Sequence, residues 1–192
     1  MSGHDDDLPS GDAVVAMASD VVRGTAAHVT DDWEAFAARR PRAEAIVGGI
    51  RHLTLINCHQ WHLEDECRRD CETPLRLAEI KHAIDASNHR RVNEIDHLDD
   101  AFVDVFRRRR GGSLVGRHVL SSPGEVIDRL SILVLRLHHL EHSDAPGLGD
   151  ESAALITQRR ADDLAGAFDG LVDDVLAGRR RLERYRTVKL YG

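Results

Sequence analysis

Ionisable residues recur at core spacing in two long segments of this chain. Lys81, Asp85, Asn88, Val92, Asp96 and Asp99 fall three or four apart, so they share one stripe of a helix. An apolar stripe of Ile80, Ile84, Ile95, Leu98 and Phe102 runs directly beside it. The segment Glu125 to His142, EVIDRLSILVLRLHHLEH, is apolar almost all round, which predicts burial. Yet Glu125, Asp128, His139 and His142 share one of its faces. A buried carboxylate is costly unless it is paired or serves a ligand, so the two stripes predict a shared polar cavity.

A third cluster, His59-Gln60-Trp61-His62-Leu63-Glu64-Asp65-Glu66, places His62 and Asp65 one helical step apart. A carboxylate so placed orients an imidazole and raises its basicity for general-base work. The plainer alternative is a surface histidine beside solvated acids. On the third helix of the set, Asp128-Arg129 and His139 form either a site or a salt-bridge network around Arg129. Lys81 and Lys189 are the only lysines, so imine chemistry has two candidates. Asp85, one turn after Lys81, would hold it protonated; Lys81 is therefore expected to orient rather than attack. Cys58 has no thiolate-stabilising setting, and no glycine-rich phosphate loop is present.

A metal site would need matched ligands on facing helices. The chain offers Glu94-x-x-His97 and Asp96-x-x-Asp99 but no second Glu-x-x-His on a core face, and His139-x-x-His142 is a poor substitute. Cys67 and Cys71 lack a second pair. No metal or cofactor is expected.

The elements that must position these residues are helical. Periodicity predicts a first helix from about Asp12 to His28, capped near Ser10 or Asp12, and a short segment around Trp33 to Arg39. Pro41 suits a first turn of a helix reaching about Cys71, and Glu72-Thr73-Pro74 breaks it. The longest helix is expected from Leu75 to Arg110, ended by Gly111-Gly112. Another starts at Ser122-Pro123-Gly124 and fades at Ser143. A last runs from Glu151 to at least Arg181. The expectation is an all-α fold, with four long helices in an antiparallel bundle and the N-terminal helix outside or at one end. Residues 1–11 read as a loose tail, and 12–192 as one domain.

Aromatic residues make up 4% of the 192, so the core must rest on Leu, Ile, Val and Ala. A formal charge of −7 and a pI near 5.9 disfavour a nucleic-acid binder. Arg107 to Arg110 and Arg179 to Arg181 each follow a helical pattern, where cations complement the dipole. Three cysteines and no N-terminal leader predict a reduced, cytoplasmic protein. No apolar run approaches the roughly 20 residues that span a bilayer.

Trp61-His62-x-Glu64-Asp65, Lys81-x-x-Ile84-Asp85-x-x-Asn88-x-x-Arg91 and Pro123-Gly124-x-x-Ile127-Asp128-Arg129-Leu130-Ser131-Ile132-Leu133 resemble the bacterial domain-of-unknown-function family 4254. His139 matches that family's histidine after the D-R-L-S-I-L block, and Tyr185 to Tyr191 is similar to its K-M-Y-N ending. The resemblance covers roughly residues 45 to 192. It implies a helical fold and, because genes of the family often lie beside sugar-transferase genes, a link to carbohydrate metabolism. Val92, Asp96 and His138 depart from its pattern, replacing Asn, Glu and an aromatic residue.

The expected pocket gathers His62, Asp65, Lys81, Asp128 and His139 as catalytic residues, with Glu64, Asp85, Asn88, Arg91 and Arg129 holding substrate. Carboxylates outnumber cations there, which favours an amine-bearing, polyhydroxylated ligand such as an amino sugar or aminocyclitol. The expected chemistry is metal-independent acid/base work at a carbonyl: aldol or transaldol exchange, or epimerisation. A metal-dependent oxidase or hydrolase and a non-catalytic partner of a glycosyltransferase are the alternatives. No nucleic acid or membrane is expected as a partner, and self-association as a homodimer stays open.

Overall fold

A computed structural model describes residues 8–26, 45–69, 73–111, 116–142 and 151–182. The described residues are mostly helical: α1 Gly11–Ala26, α2 Ala45–Arg69, α3 Pro74–Arg109, α4 Pro123–Glu141 and α5 Glu151–Leu176. Two short strands, β1 Arg117–His118 and β2 Arg180–Arg181, pair in parallel. The all-α expectation holds. The segment around Trp33 to Arg39, Cys71 and the Tyr185 to Tyr191 ending lie outside the described residues, as does most of the N-terminal tail.

Local chemistry sets the helix starts. The Ser10 hydroxyl accepts from the Ala13 N–H at 3.2 Å and so caps α1. Thr73 caps α3 by accepting from the Arg76 N–H, and Pro74 occupies the first turn. Ser122 and Glu125 form a reciprocal capping box at the start of α4. Glu125 is thereby an exposed capping residue and not a member of a buried face. His142, exposed just past the other end of α4, donates from Nδ1 to the His138 carbonyl.

Packing joins α2 to α3, α4 to α5, and both α2 and α3 to α4. On α2 and α3, Gly49 meets Leu98 and His52 meets Glu94, so these two helices run in opposite directions. Helix α1 is not peripheral: it packs against α2, α4 and α5, burying Val14, Ala18 and Val22. At the heart of the main core Phe102 packs against Phe106 and edge-on against Phe168, with centroids 5.9 Å apart in each pair. Ile50, Leu53, Leu98, Ile127 and Leu130 close around them. Each such side chain, fully buried, contributes about 1.5–3 kcal/mol. A smaller cluster of Ala18, Val22, Cys58, Val134 and Leu135 touches Trp61.

Two further features differ from expectation. The last helix ends at Leu176, because Gly178 turns the chain with φ 77° and Arg180–Arg181 enter β2. On α3 the buried line runs through Ile80, Ser87, Glu94, Leu98 and Phe102, while Lys81 and Asp85 face outward. Adjacent helical residues are about 100° apart, so a line through Ile80 leaves Lys81 on the flank. No helix among the described residues is long and apolar enough to cross a membrane.

Candidate active site

Three helices deliver polar groups to one buried junction. Asp128 of α4 lies with its side chain only 7% exposed. Arg91 of α3 clamps it with two parallel bonds, Nε to Oδ1 at 2.8 Å and Nη2 to Oδ2 at 2.6 Å. Asn57 of α2 donates through Nδ2 to Asp128 Oδ1 at 3.1 Å and to Ser131 Oγ at 2.6 Å. Ser131 in turn donates to the Asp128 carbonyl at 2.8 Å. Bidentate guanidinium–carboxylate geometry is the strong form of this contact. The Asp128 bonds outweigh burial and raise the Arg91 pKa further, with a smaller contribution from the Glu64 charge.

Gly124 sets the approach of α4 to α3 that makes this possible. A Cβ there would lie 2.7 Å from the Ile95 carbonyl oxygen and 2.9 Å from Asp99 Oδ1. The Gly124 N–H instead donates to that Asp99 oxygen at 2.7 Å. Burial pushes the Asp99 carboxyl up to about 6, against the lowering effect of bonds from Ser122 and Gly124.

Beside the junction, α2 and α4 bring imidazoles to an indole. His139 stacks on Trp61 with centroids 4.6 Å apart and planes 5° from parallel. His62 stands edge-on to His139 at 6.4 Å. His138, next along α4, stacks on His142 at 4.3 Å. Burial, with the positive charges of Arg90 and His62, pulls the His59 pKa down to about 4. Glu64 sits on the same helix face as Gln60, accepting from its Nε2 at 3.3 Å.

The predicted residues thus divide. Arg91 and Asp128 meet directly, Glu64 acts on Arg91 through its charge, and His62 meets His139. Asn88 is half-buried, and Asp65 accepts from Arg68 at 3.1 Å. Lys81, Asp85 and Arg129 are exposed, which corrects the expectation that they line a cavity. Arg129 reaches Ser121 Oγ at 3.4 Å and is not the partner of Asp128; consecutive residues of α4 point in different directions. Among the described residues no group of three His, Cys, Asp or Glu side chains is placed to hold a metal ion.

Sequence reasoning missed Asn57, Ser87, and the pairing of His52 with Glu94. His52 Nδ1 donates to Glu94 Oε2 at 3.0 Å, and Glu94 is 4% exposed. The seven-residue step Ile80–Ser87–Glu94 was the available signal, since positions two turns apart share a face. Asn57, one turn before Trp61, carried a similar one.

The family model described as a protein of unknown function (DUF4254) matches residues 49–183. The chain belongs to this family. Every residue of the junction and of the imidazole–indole cluster lies inside the matched DUF4254 span, whereas α1 lies before it. No curated protein and no solved structure matches the chain.

Proposed function

We propose that this DUF4254 protein is a small-molecule enzyme performing metal-independent acid/base chemistry at the carbonyl of a polyhydroxylated, amine-bearing sugar or aminocyclitol. The reaction class is aldol or transaldol exchange, or the related epimerisation, carried out in the cytoplasm as part of carbohydrate or natural-product biosynthesis. The reading takes α2 to α5 as an antiparallel bundle whose polar groups open at one end.

One observation carries it: two imidazoles from different helices, His62 and His139, converge at Trp61. An imidazole accepts or donates a proton through its ring nitrogens, so such a pair offers candidates for both the general base and the general acid. Arg91 spends Nε and Nη2 on Asp128, which leaves Nη1 to stabilise a developing oxyanion. Asp128 is then a positioning residue that fixes the guanidinium. Glu64 pairs with Arg68 at 3.4 Å in an exposed contact, and surface pairs of this kind contribute only about 0–1 kcal/mol. A ligand ammonium or hydroxyl displaces Arg68 at little cost.

The test is exchange of the carbon-bound proton next to the carbonyl, followed by NMR in D₂O over a panel of amino sugars and aminocyclitol ketones. A substrate is expected, and His62→Ala or His139→Ala should slow exchange by about 10²–10⁴. Borohydride should trap no adduct. A trapped adduct on Lys81, or full rate in both histidine variants, would overturn the mechanism.

A second reading rests on the completeness of the Asp128 contacts. Arg91, Asn57 and Ser131 satisfy this residue without a ligand, as a purely structural pair would be. A non-catalytic partner of a glycosyltransferase needs no more than that. Co-purification with a glycosyltransferase, with no exchange on any panel member, would favour it.

A further inference from the structure

The two arginine runs, about 70 residues apart in sequence, come together at one end of the fold. Arg107 to Arg110 close α3, and Arg179 to Arg181 lead into β2. Strand β1 adds Arg117, whose Cα is paired with that of Arg180, and His118, paired with Arg181. Neighbouring strands are about 4.8 Å apart, and like charges placed opposite each other are destabilising. Helix dipoles do not account for this gathering. Only Arg107, Arg108 and Arg109 lie in a last helical turn, and α5 has no basic residue in its own. Each helix C-terminus offers about half a negative charge. Asp174 accepts from Arg179 at 2.6 Å and from Arg180 at 3.2 Å.

The Arg110 guanidinium is also held in place. Gly178 has φ 77°, and a Cβ there would lie 2.6 Å from Arg110 Nη2 and 3.1 Å from its Cζ, so the Arg110 guanidinium rests against bare backbone. Its Nη1 is enclosed and makes no hydrogen bond among the described residues. His118 is used as an acceptor, with Arg181 Nη2 donating to its Nε2 at 2.7 Å. A guanidinium held with one enclosed, unpartnered N–H is costly, and an anion bound at its other edge offsets that cost through its charge.

We propose that this end of the protein is an anion site for the phosphoryl group of a small phosphorylated molecule, bound by Arg110, Arg117 and Arg180. Guanidinium forks match phosphate oxygens in geometry as well as charge. The chain is acidic overall, at −7, and these two arginine runs meet at one end, which suits a compact anion better than a polynucleotide. Arg110 is 19 positions along the helical path from Arg91, or about 28 Å at the α-helical rise. This site is therefore separate from the imidazole–indole cluster and does not depend on the function proposed for it.

The experiment is thermal unfolding of the full chain in inorganic phosphate and pyrophosphate from 0 to about 20 mM, at constant ionic strength set with chloride. The expected result is a saturable rise in melting temperature that chloride does not reproduce. Arg117→Gln, at an exposed position, should fold normally and weaken the apparent phosphate affinity about tenfold, as for one charge-assisted bond. Arg110→Gln should abolish the rise. An equal rise in chloride, or an unchanged phosphate response in Arg117→Gln, would overturn the proposal. So would binding of a short single-stranded DNA in preference to pyrophosphate, which would assign the surface to nucleic acid.

Discussion

Replacing Arg91 with Met removes the charge that balances Asp128 while keeping most of the side-chain stem. The Asp128 side chain is 7% exposed and that of Arg91 28%. After the change, the carboxylate keeps only the Asn57 amide as a side-chain donor among the described residues. Breaking one partner of a buried pair costs about 3–5 kcal/mol. Partial access of water around Arg91 places the expected cost near the lower end, about 3 kcal/mol. For a chain of 192 residues, each kcal/mol shifts the melting temperature by about 2–4 °C, so the variant should melt about 6–12 °C below wild type. Circular dichroism melts at pH 7 measure this. The double variant Arg91→Met/Asp128→Leu should recover most of the loss, because both charges are gone and the site is repacked with apolar groups. An Arg91→Met protein melting within 2 °C of wild type would show that Asp128 is hydrated and the junction is not buried. Simple additivity of the two single changes would refute the coupling.

Three further outcomes follow from the titrations. Asp99, pushed up to about 6 from an ordinary 3.8, binds its proton more tightly folded than unfolded. Wild type should therefore lose stability relative to Asp99→Asn as pH rises from about 4 to 6, by at most about 3 kcal/mol; a pH-independent difference in melting temperature would contradict this. His59, pulled down to about 4, should stay neutral by NMR to well below pH 6, and its stabilising contribution should fade as pH drops from about 6.5 to 4. A midpoint near 6.5 would mean that the side chain is solvated. Burial pushes the Cys58 thiol up to about 11, so iodoacetamide at pH 8 should modify Cys67 well before Cys58 in the native protein, as mapped by mass spectrometry.

Much of the scaffold was legible because its signals are local. Ser10, Thr73-Pro74 and Ser122-Pro123 stand where the helices begin, and hydroxyl caps and prolines act within one turn. The end of α5 was misread, since Gly178 in the left-handed region stops a helix whose composition would let it continue. Asp128 and Arg91, and His62 and His139, meet in the structure; they stood out in the sequence because ionisable residues on apolar faces are conspicuous. Lys81 and Asp85 were misplaced because a helix wheel fixes relative angles but not which angle faces the core. That rotation on α3 is decided by Ile80, Leu98 and Phe102 together with the close contact at Gly49. Asn57 and Ser131 were missed because small polar residues become informative only once a partner on another helix is known.

The central claim is that His62, His139 and Trp61 form a site for a hydroxylated, amine-bearing ligand. Its most direct test is to follow the imidazole and indole NMR signals of the labelled protein while titrating in a panel of amino sugars and aminocyclitols up to about 10 mM. The expected result is that at least one compound shifts the His62, His139 and Trp61 signals together, saturably, while His138 and His142 move less. No shift at these three residues from any compound, or shifts that persist unchanged in Trp61→Leu, would contradict the account.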